Sequence, residues 1–249
     1  MSRGFEVVHR SLPFAALIAL ALAVPAARAA AAPPTVAVLY FDYDGADEEL
    51  FVLRKGLADL IGNHLVAAPT IQVIERERLQ DVLAELDLQQ TRRMDSASAV
   101  RVGKLLGARY LVFGSYFQLH GALSATSRVV EVETGKVLYA VSGLGPPDDF
   151  LTVQLKLGDG LRTFFETKLP ALAAASPKAE PRPGGTVTAR PRAAKPPPRQ
   201  LKLKDAKTYA AALDAIDKKD KATAVDKLKQ VLASNEDFPL AAAQLAALN

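Results

Sequence analysis

Gln72–Leu86 reads QVIERERLQDVLAEL: an apolar strand that passes through two Glu-Arg pairs and continues as a helix with leucines on one face. Four charges at a strand-to-helix junction suit either an active site or a folding joint. Leu79, Val82, Leu83 and Leu86 recur at i, i+3, i+4 and i+7, so an amphipathic helix starts near Arg76. Glu75 and Glu77 then fall in its first turn, where carboxylates complement the helix dipole, and Arg76 and Arg78 can pair with neighbouring acids. Two carboxylates could serve as acid and base. Residues two positions apart at a helix start point in different directions, however, and nothing else converges on them, so the joint reading is preferred.

Elements on either side extend this pattern. Val36–Phe41 (VAVLYF) is an apolar run after Pro33-Pro34, as expected of a strand buried on both faces. Leu50, Leu53, Leu57, Leu60, Ile61 and Leu65 mark a helix whose first turn carries Asp47, Glu48 and Glu49. Ile71–Ile74 is the second strand. Asp95 or Ser96 caps a helix bearing Ala99, Val102, Leu105 and Leu106, closed by Gly107. A strand over 109–117 follows, then two more over 123–133 and 136–142, joined by a tight hairpin at Thr134-Gly135. Pro146-Pro147-Asp148 opens a last helix with Phe150, Leu157, Leu161 and Phe164 on one face. The order β-α-β-α-α-β-β-β-α specifies an α/β fold, a mixed sheet covered by helices, over residues 35–169.

Residues 1–29 are read as a cleaved signal peptide: Arg3 and Arg10 precede an apolar run from Leu12 to Val24, and Ala27 and Ala29 flank Arg28 in the small-x-small pattern of a cleavage site, so the mature chain begins near Ala30. The alternative is a membrane anchor, but the run is shorter than the roughly 20 residues a spanning helix needs. The expected location is the periplasm, with no membrane span after signal removal. The chain has no cysteine, which excludes disulfides, thiolate metal sites, a cysteine nucleophile and a lipidated N-terminal cysteine.

Residues 170–200 are rich in Pro, Ala, Lys and Arg, with six basic residues against one acidic. Such a segment cannot bury enough apolar surface to order itself, and it reads as a disordered linker. The net charge of +4 owes much to this segment and the signal. A nucleic-acid-binding surface is therefore not indicated, although weak contact of the linker with anionic envelope polymers is compatible with its charge. Residues 201–249 form a helical tail. Tyr209, Leu213 and Ile216 make one stripe, Ala224, Leu228, Val231 and Leu232 a second, and a third begins at Leu240. Ala224, Leu228 and Val231 fit the second helix of a tetratricopeptide unit, whereas Glu236 stands where that repeat usually has proline. Tyr209, Leu213, Ala224 and Leu228 are the expected partner-binding residues.

Chemistry is hard to place. His64 lies on the apolar side of its helix as a packed histidine, and His120 precedes a glycine in a loop. The acids of Asp42–Glu49 invite a calcium reading, but Gly45 is the fourth residue from Asp42 where an EF-hand loop needs its sixth. GKLLG at 103–107 ends a helix instead of opening one, so it does not cradle phosphate. No catalytic residue, metal or cofactor is expected.

Three segments in order, VIERERLQDVLAELDLQQT, AVRVGKLLGARYLVFGSY and SRVVEVETGKVLYAVSG, resemble the CsgG-type family of envelope proteins. That family includes the curli secretion channel and is related in fold to LpoB-type lipoproteins that activate peptidoglycan synthases. The resemblance covers about Thr35–Lys168. It implies framework roles for Glu75 and Arg76 after the second strand, for Leu105, Leu106, Gly107 and Ala108 at the helix-to-strand joint, for Gly114, and for Thr134 and Gly135 at the strand end. Two departures are visible: no cysteine is present to lipidate, and the turn near His120-Gly121 is short and the next hairpin closes at Thr134-Gly135 without the long inserted hairpins whose strands each cross a bilayer in about 9 to 11 residues. The resemblance implies a non-enzymatic periplasmic adaptor or scaffold in cell-envelope or surface-structure assembly, partnered by an envelope protein or by itself. The alternative is a soluble ring in a secretion apparatus.

Overall fold

The computed structural model describes residues 32–88, 94–146, 149–175 and 201–249. Residues 1–29, read from the sequence as a signal peptide, lie outside them, as do residues 176–200 of the 170–200 segment read as a linker.

Burial on both faces, inferred from the run at Val36–Phe41, is what the structure shows: Val36 to Phe41 are all 9% exposed or less. Only its first half is a strand: β1 (Thr35–Val38) ends inside the run, residues 39–41 are irregular, and pairing resumes at β2 (Asp42–Tyr43). Val38 pairs with Val112 and Asp42 with Ser115, four steps on one side against three on the other. The extra residue forces a bulge-like break between them. The first helix is likewise interrupted at Val52, giving α1 (Glu48–Phe51), capped by the Asp47 carboxylate, and α2 (Leu53–Leu65). Next come β3 (Gln72–Val73), α3 (Arg76–Glu85) and α4 (Ser96–Leu106). Asp95 caps α4 by accepting from the Ser98 N–H at 2.9 Å, and this bond holds the Asp95 carboxyl below its usual range. Gly107 ends α4 at φ 66°. Leu105, counted among the apolar positions of α4, is 49% exposed, because only Val102, Leu106 and Ala99 turn inward.

Three long strands follow: β4 (Tyr110–Leu119), β5 (Ala122–Glu131) and β6 (Val137–Gly145). The two-residue hairpin is at His120-Gly121, not at Thr134-Gly135. Leu119 pairs with Ala122 across it, and His120 and Gly121 both take positive φ, 49° and 73°, as a type I′ turn requires. Thr134-Gly135 instead belongs to a longer connection between Glu131 and Val137. There Gly135 supplies the left-handed residue at φ 68°, and the Thr134 hydroxyl donates to Glu131 Oε2 at 2.8 Å.

The sheet order is β3-β1-β4-β5-β6, with β2 also on β4; β1, β2, β3 and β4 run parallel, and β5 and β6 antiparallel. The fold is thus the mixed α/β sheet inferred from the sequence. Helix α5 (Phe150–Thr163) lies on the face that carries Gly143 and Gly145, each within close reach of Val153. On the opposite face, Gly103 of α4 sits against Leu111 and Val132. Helices therefore cover both sides.

Instead of ending near Pro170, the last helix continues as a π-turn (Phe164–Lys168) into α6 (Leu169–Ala175). Proline in a helix cannot donate and crowds the carbonyl four residues back. The widened turn just before it, in which the Leu169 N–H reaches the Phe164 carbonyl, accommodates that misfit. The tail comprises α7 (Leu203–Asp217), α8 (Lys221–Ser234) and α9 (Pro239–Leu248). It packs through α7 onto α2, and residues 33–249 form one compact unit.

Candidate functional site: the clasp between tail and sheet domain

Helix α2 is apolar toward the sheet, yet its outer side carries Lys55 and Asp59, four residues apart and hence on one face. Gly56 lies between them in that face. A Cβ placed on it would come 2.9 Å from the Ala210 side chain, so this glycine sets how closely α7 approaches. From α7, Tyr209, Asp214 and Asp217 reach back. The Tyr209 hydroxyl donates to Asp59 Oδ2 at 2.7 Å. Lys55 Nζ bridges Asp214 Oδ1 and Asp217 Oδ2, each at 2.7 Å.

Arg76 completes the cluster and answers the question posed by Gln72–Leu86. It is the first residue of α3, where a cation opposes the helix dipole, and its guanidinium pairs with the Asp217 carboxylate from the tail. The Arg76 and Asp217 side chains are only 5% and 4% exposed. Burial alone would lower the Arg76 pKa, but the Asp217 charge and hydrogen bond outweigh it and hold the guanidinium firmly protonated. Tyr40 lies beneath, with Lys55 Nζ 5.5 Å from its ring centre and its hydroxyl donating to Gln80 at 2.8 Å. Burial, followed by the nearby Asp217 charge, drives the Tyr40 pKa far above normal. At the rim, Asp214 also accepts from Lys218 at 2.7 Å. Burial pushes the Asp214 carboxyl up, yet the bonds from Lys218 and Lys55 bring it below its usual value.

The other sequence-singled residues are spread through the frame. Glu75 is the exposed N-cap of α3, and Glu77, about half exposed, touches Arg76 at 3.4 Å. They share no convergent partner with the chemistry of a catalytic pair. Leu106 and Ala108 are buried under the sheet, and Gly114 is obligatory, since a Cβ there would lie 1.8 Å from the Thr126 carbonyl oxygen. His64 packs on Gly158, with Nε2 2.9 Å from Asp159 Oδ1. The acids of Asp42–Glu49 have structural work: Asp42 accepts from the Met94 N–H, Asp47 caps α1, and Glu49 meets Lys207 of α7 at 2.8 Å. Among the described residues no cluster of three or more His, Asp and Glu side chains is placed to hold a metal.

A correction concerns the tail. Tyr209, Leu213, Ala224 and Leu228, taken from the sequence as partner-binding residues, are all fully buried within the chain itself. Tyr209 docks α7 on α2 and stacks near Phe238, with ring centres 4.8 Å apart; Ala224 and Leu228 are the buried side of α8. Their surface is already used internally. The clasp residues Lys55, Asp59, Asp214 and Asp217 were missed. The available signal was a charged i, i+4 pair inside an apolar helix and two acids three apart on an alanine-rich one. Beside the clasp is a recess of about 30 Å³ lined by Asp59, Gly62, Asn63, Glu75 and Arg76. It has room for a water molecule or two, not for an organic substrate.

Residues 24–127 match the family model described as curli production assembly/transport component CsgG. The resemblance read from the sequence therefore holds, with a match that ends within β5 and does not reach the tail. No curated protein matches the chain. Among solved structures, the LpoB C-terminal domain from Salmonella enterica is 16% identical, with 48% of this chain and 87% of that one covered and a TM-score of 0.38. The PelC dodecamer from Paraburkholderia phytofirmans is 12% identical (54% and 88% covered, TM-score 0.35). Lipoprotein GNA1162 from Neisseria meningitidis is 15% identical (58% and 99% covered, TM-score 0.35). Among the described residues no helix is long and apolar enough to cross a membrane.

Proposed function

We propose that this chain is a non-enzymatic, periplasmic adaptor or scaffold for cell-envelope or surface-structure assembly. The observation that carries the reading is the family match over residues 24–127, to a component of curli production assembly and transport. The use of the charged residues supports it: the buried ion cluster binds the tail to the sheet domain, and among the described residues no base, nucleophile or metal ligand converges on the Glu75 and Glu77 carboxylates. Because the apolar stripes of α7 and α8 are spent on internal packing, a partner is met by the outer surface of the joined body and not by the tail's core residues. The helix pair acts as a built-in buttress on α2.

Crosslinking in intact cells with the full chain, combined with cell fractionation, tests this. The chain is expected in the periplasmic fraction, joined to a defined envelope protein, with Glu75→Gln and Glu77→Gln leaving capture unchanged. A cytoplasmic chain, or a hydrolytic activity lost in either of those variants, would overturn the proposal.

A further inference from the structure

Gly62 lies within α2, its carbonyl accepting from the Val66 N–H at 3.1 Å. Glycine inside a helix is less favourable than alanine, by about four- to fivefold in the folding equilibrium. Among the described residues, no neighbour demands it. A Cβ on Gly62 would meet only the Val38 side chain, at an ordinary 3.9 Å, whereas a Cβ on Gly56 or Gly158 would strike Ala210 at 2.9 Å or His64 at 2.8 Å. Gly62 and Val38 both line the recess of about 30 Å³ beside the clasp, so a methyl group at position 62 would project into it. The Arg76 side chain, 5% exposed, lines the same recess. Its two terminal nitrogens pair with Asp217 and Glu77, but its Nε–H has no hydrogen-bond partner among the described residues. A buried N–H without a partner weakens the fold, and a guanidinium cannot shed the proton.

We propose that this recess is a binding site for an ordered water, which accepts from the Arg76 Nε–H and donates to the polar side of the recess, and that Gly62 keeps the room for it. That polar side is formed by Asp59, Asn63 and Glu75. Charge selects the occupant. An anion such as chloride would suit Arg76 but meet the carboxylates of Asp59 and Glu75, while a metal ion would suit the carboxylates but meet the guanidinium. Water is neutral, both donates and accepts, and needs two to four polar partners in a space of about this size. The site ties the start of α3 to α2 beside the Arg76–Asp217 pair, so water is a constituent of the tail clasp. It does so whichever partner the outer surface meets.

Gly62→Ala in the full chain, followed by urea unfolding, reads the site through the sign of its effect. If nothing is displaced, alanine raises the folded-to-unfolded ratio about four- to fivefold. With the water displaced, that gain is offset by the stranded Arg76 N–H, and the ratio is expected to stay level or to fall by up to about thirtyfold. Nuclear magnetic resonance of the full chain, isotopically labelled at arginine, observes the water itself. The Arg76 Nε–H signal, assigned by through-bond transfer from its own backbone, should show a rotating-frame Overhauser peak to water. That peak has the opposite sign to an exchange peak and should disappear in Gly62→Ala. A rise of about twofold or more in the folded-to-unfolded ratio, no such peak in the wild type, or a peak that survives Gly62→Ala would overturn the proposal.

Discussion

Replacing Asp217 by alanine removes the carboxylate that Lys55 and Arg76 share. Lys55 keeps Asp214 at 2.7 Å, but Arg76 is left with Glu77, whose side chain is 54% exposed and 3.4 Å away. Arginine cannot relieve the loss by deprotonating, and its side chain is 5% exposed. Breaking a buried pair from one side costs about 3 to 5 kcal/mol, whereas an exposed ion pair is worth about 0 to 1 kcal/mol. For a body of this size the larger figure lowers Tm by on the order of 6 to 20 °C. Urea unfolding followed by circular dichroism measures the free energy, and limited proteolysis reports whether α7 has come away. Substituting both partners, Asp217→Leu with Arg76→Met, should recover most of the loss, because it leaves no charge buried alone. A destabilisation below about 1 kcal/mol for Asp217→Ala would refute the reasoning, since Arg76 and Asp217 would then behave as a surface pair.

Tyr209→Phe deletes the hydroxyl that donates to Asp59 and leaves a buried acceptor short of a partner, a loss of about 1 to 3 kcal/mol measurable by the same unfolding curves. Gly56→Val forces α2 and α7 apart at the Ala210 contact and should cost about 1 to 3 kcal/mol, with α7 becoming more susceptible to protease. The rim pair gives a pH dependence of defined sign. The Asp214 pKa is depressed in the folded chain, so its contribution is present above the unfolded carboxylate value of about 3.9 and is lost as pH falls through the folded value. The Lys218 pKa is raised by Asp214, so its contribution is present below the unfolded value of about 10.4 and is lost as pH rises through the folded one. The difference in stability between the wild type and a Lys218→Ala variant should therefore be flat across neutral pH and vanish at both extremes.

Helix and strand order was legible because the core is periodic: Leu79, Val82 and Leu83 on α3, and Leu53, Leu57 and Leu60 on α2, are buried as their spacing implies. Local irregularities were not legible. The break after Val38 depends on β4 offering three steps against four, and the π-turn before Pro170 depends on a helix held down by Phe164 and Phe165 in the core. The short turn at His120-Gly121 was legible from its glycine, whereas Thr134-Gly135 was misread as a tight hairpin because its glycine at φ 68° serves a longer connection between Glu131 and Val137. The clasp was half visible. Arg76 was recognised as a joint residue with an unspecified acid for a partner, but that acid, Asp217, lies 141 positions further along the chain. No local pattern pairs residues so distant; the partner became identifiable only once α7 was seen on α2.

The central claim is that the helical tail is part of the same body as the sheet domain, held by α2 and Arg76. Amide hydrogen exchange on the intact chain tests it most directly. The account predicts that the amides in the middle of α7, around Tyr209 to Leu213, exchange as slowly as those of α2, and that both accelerate together in Asp217→Ala. Rapid exchange throughout α7 beside a protected α2 would contradict it.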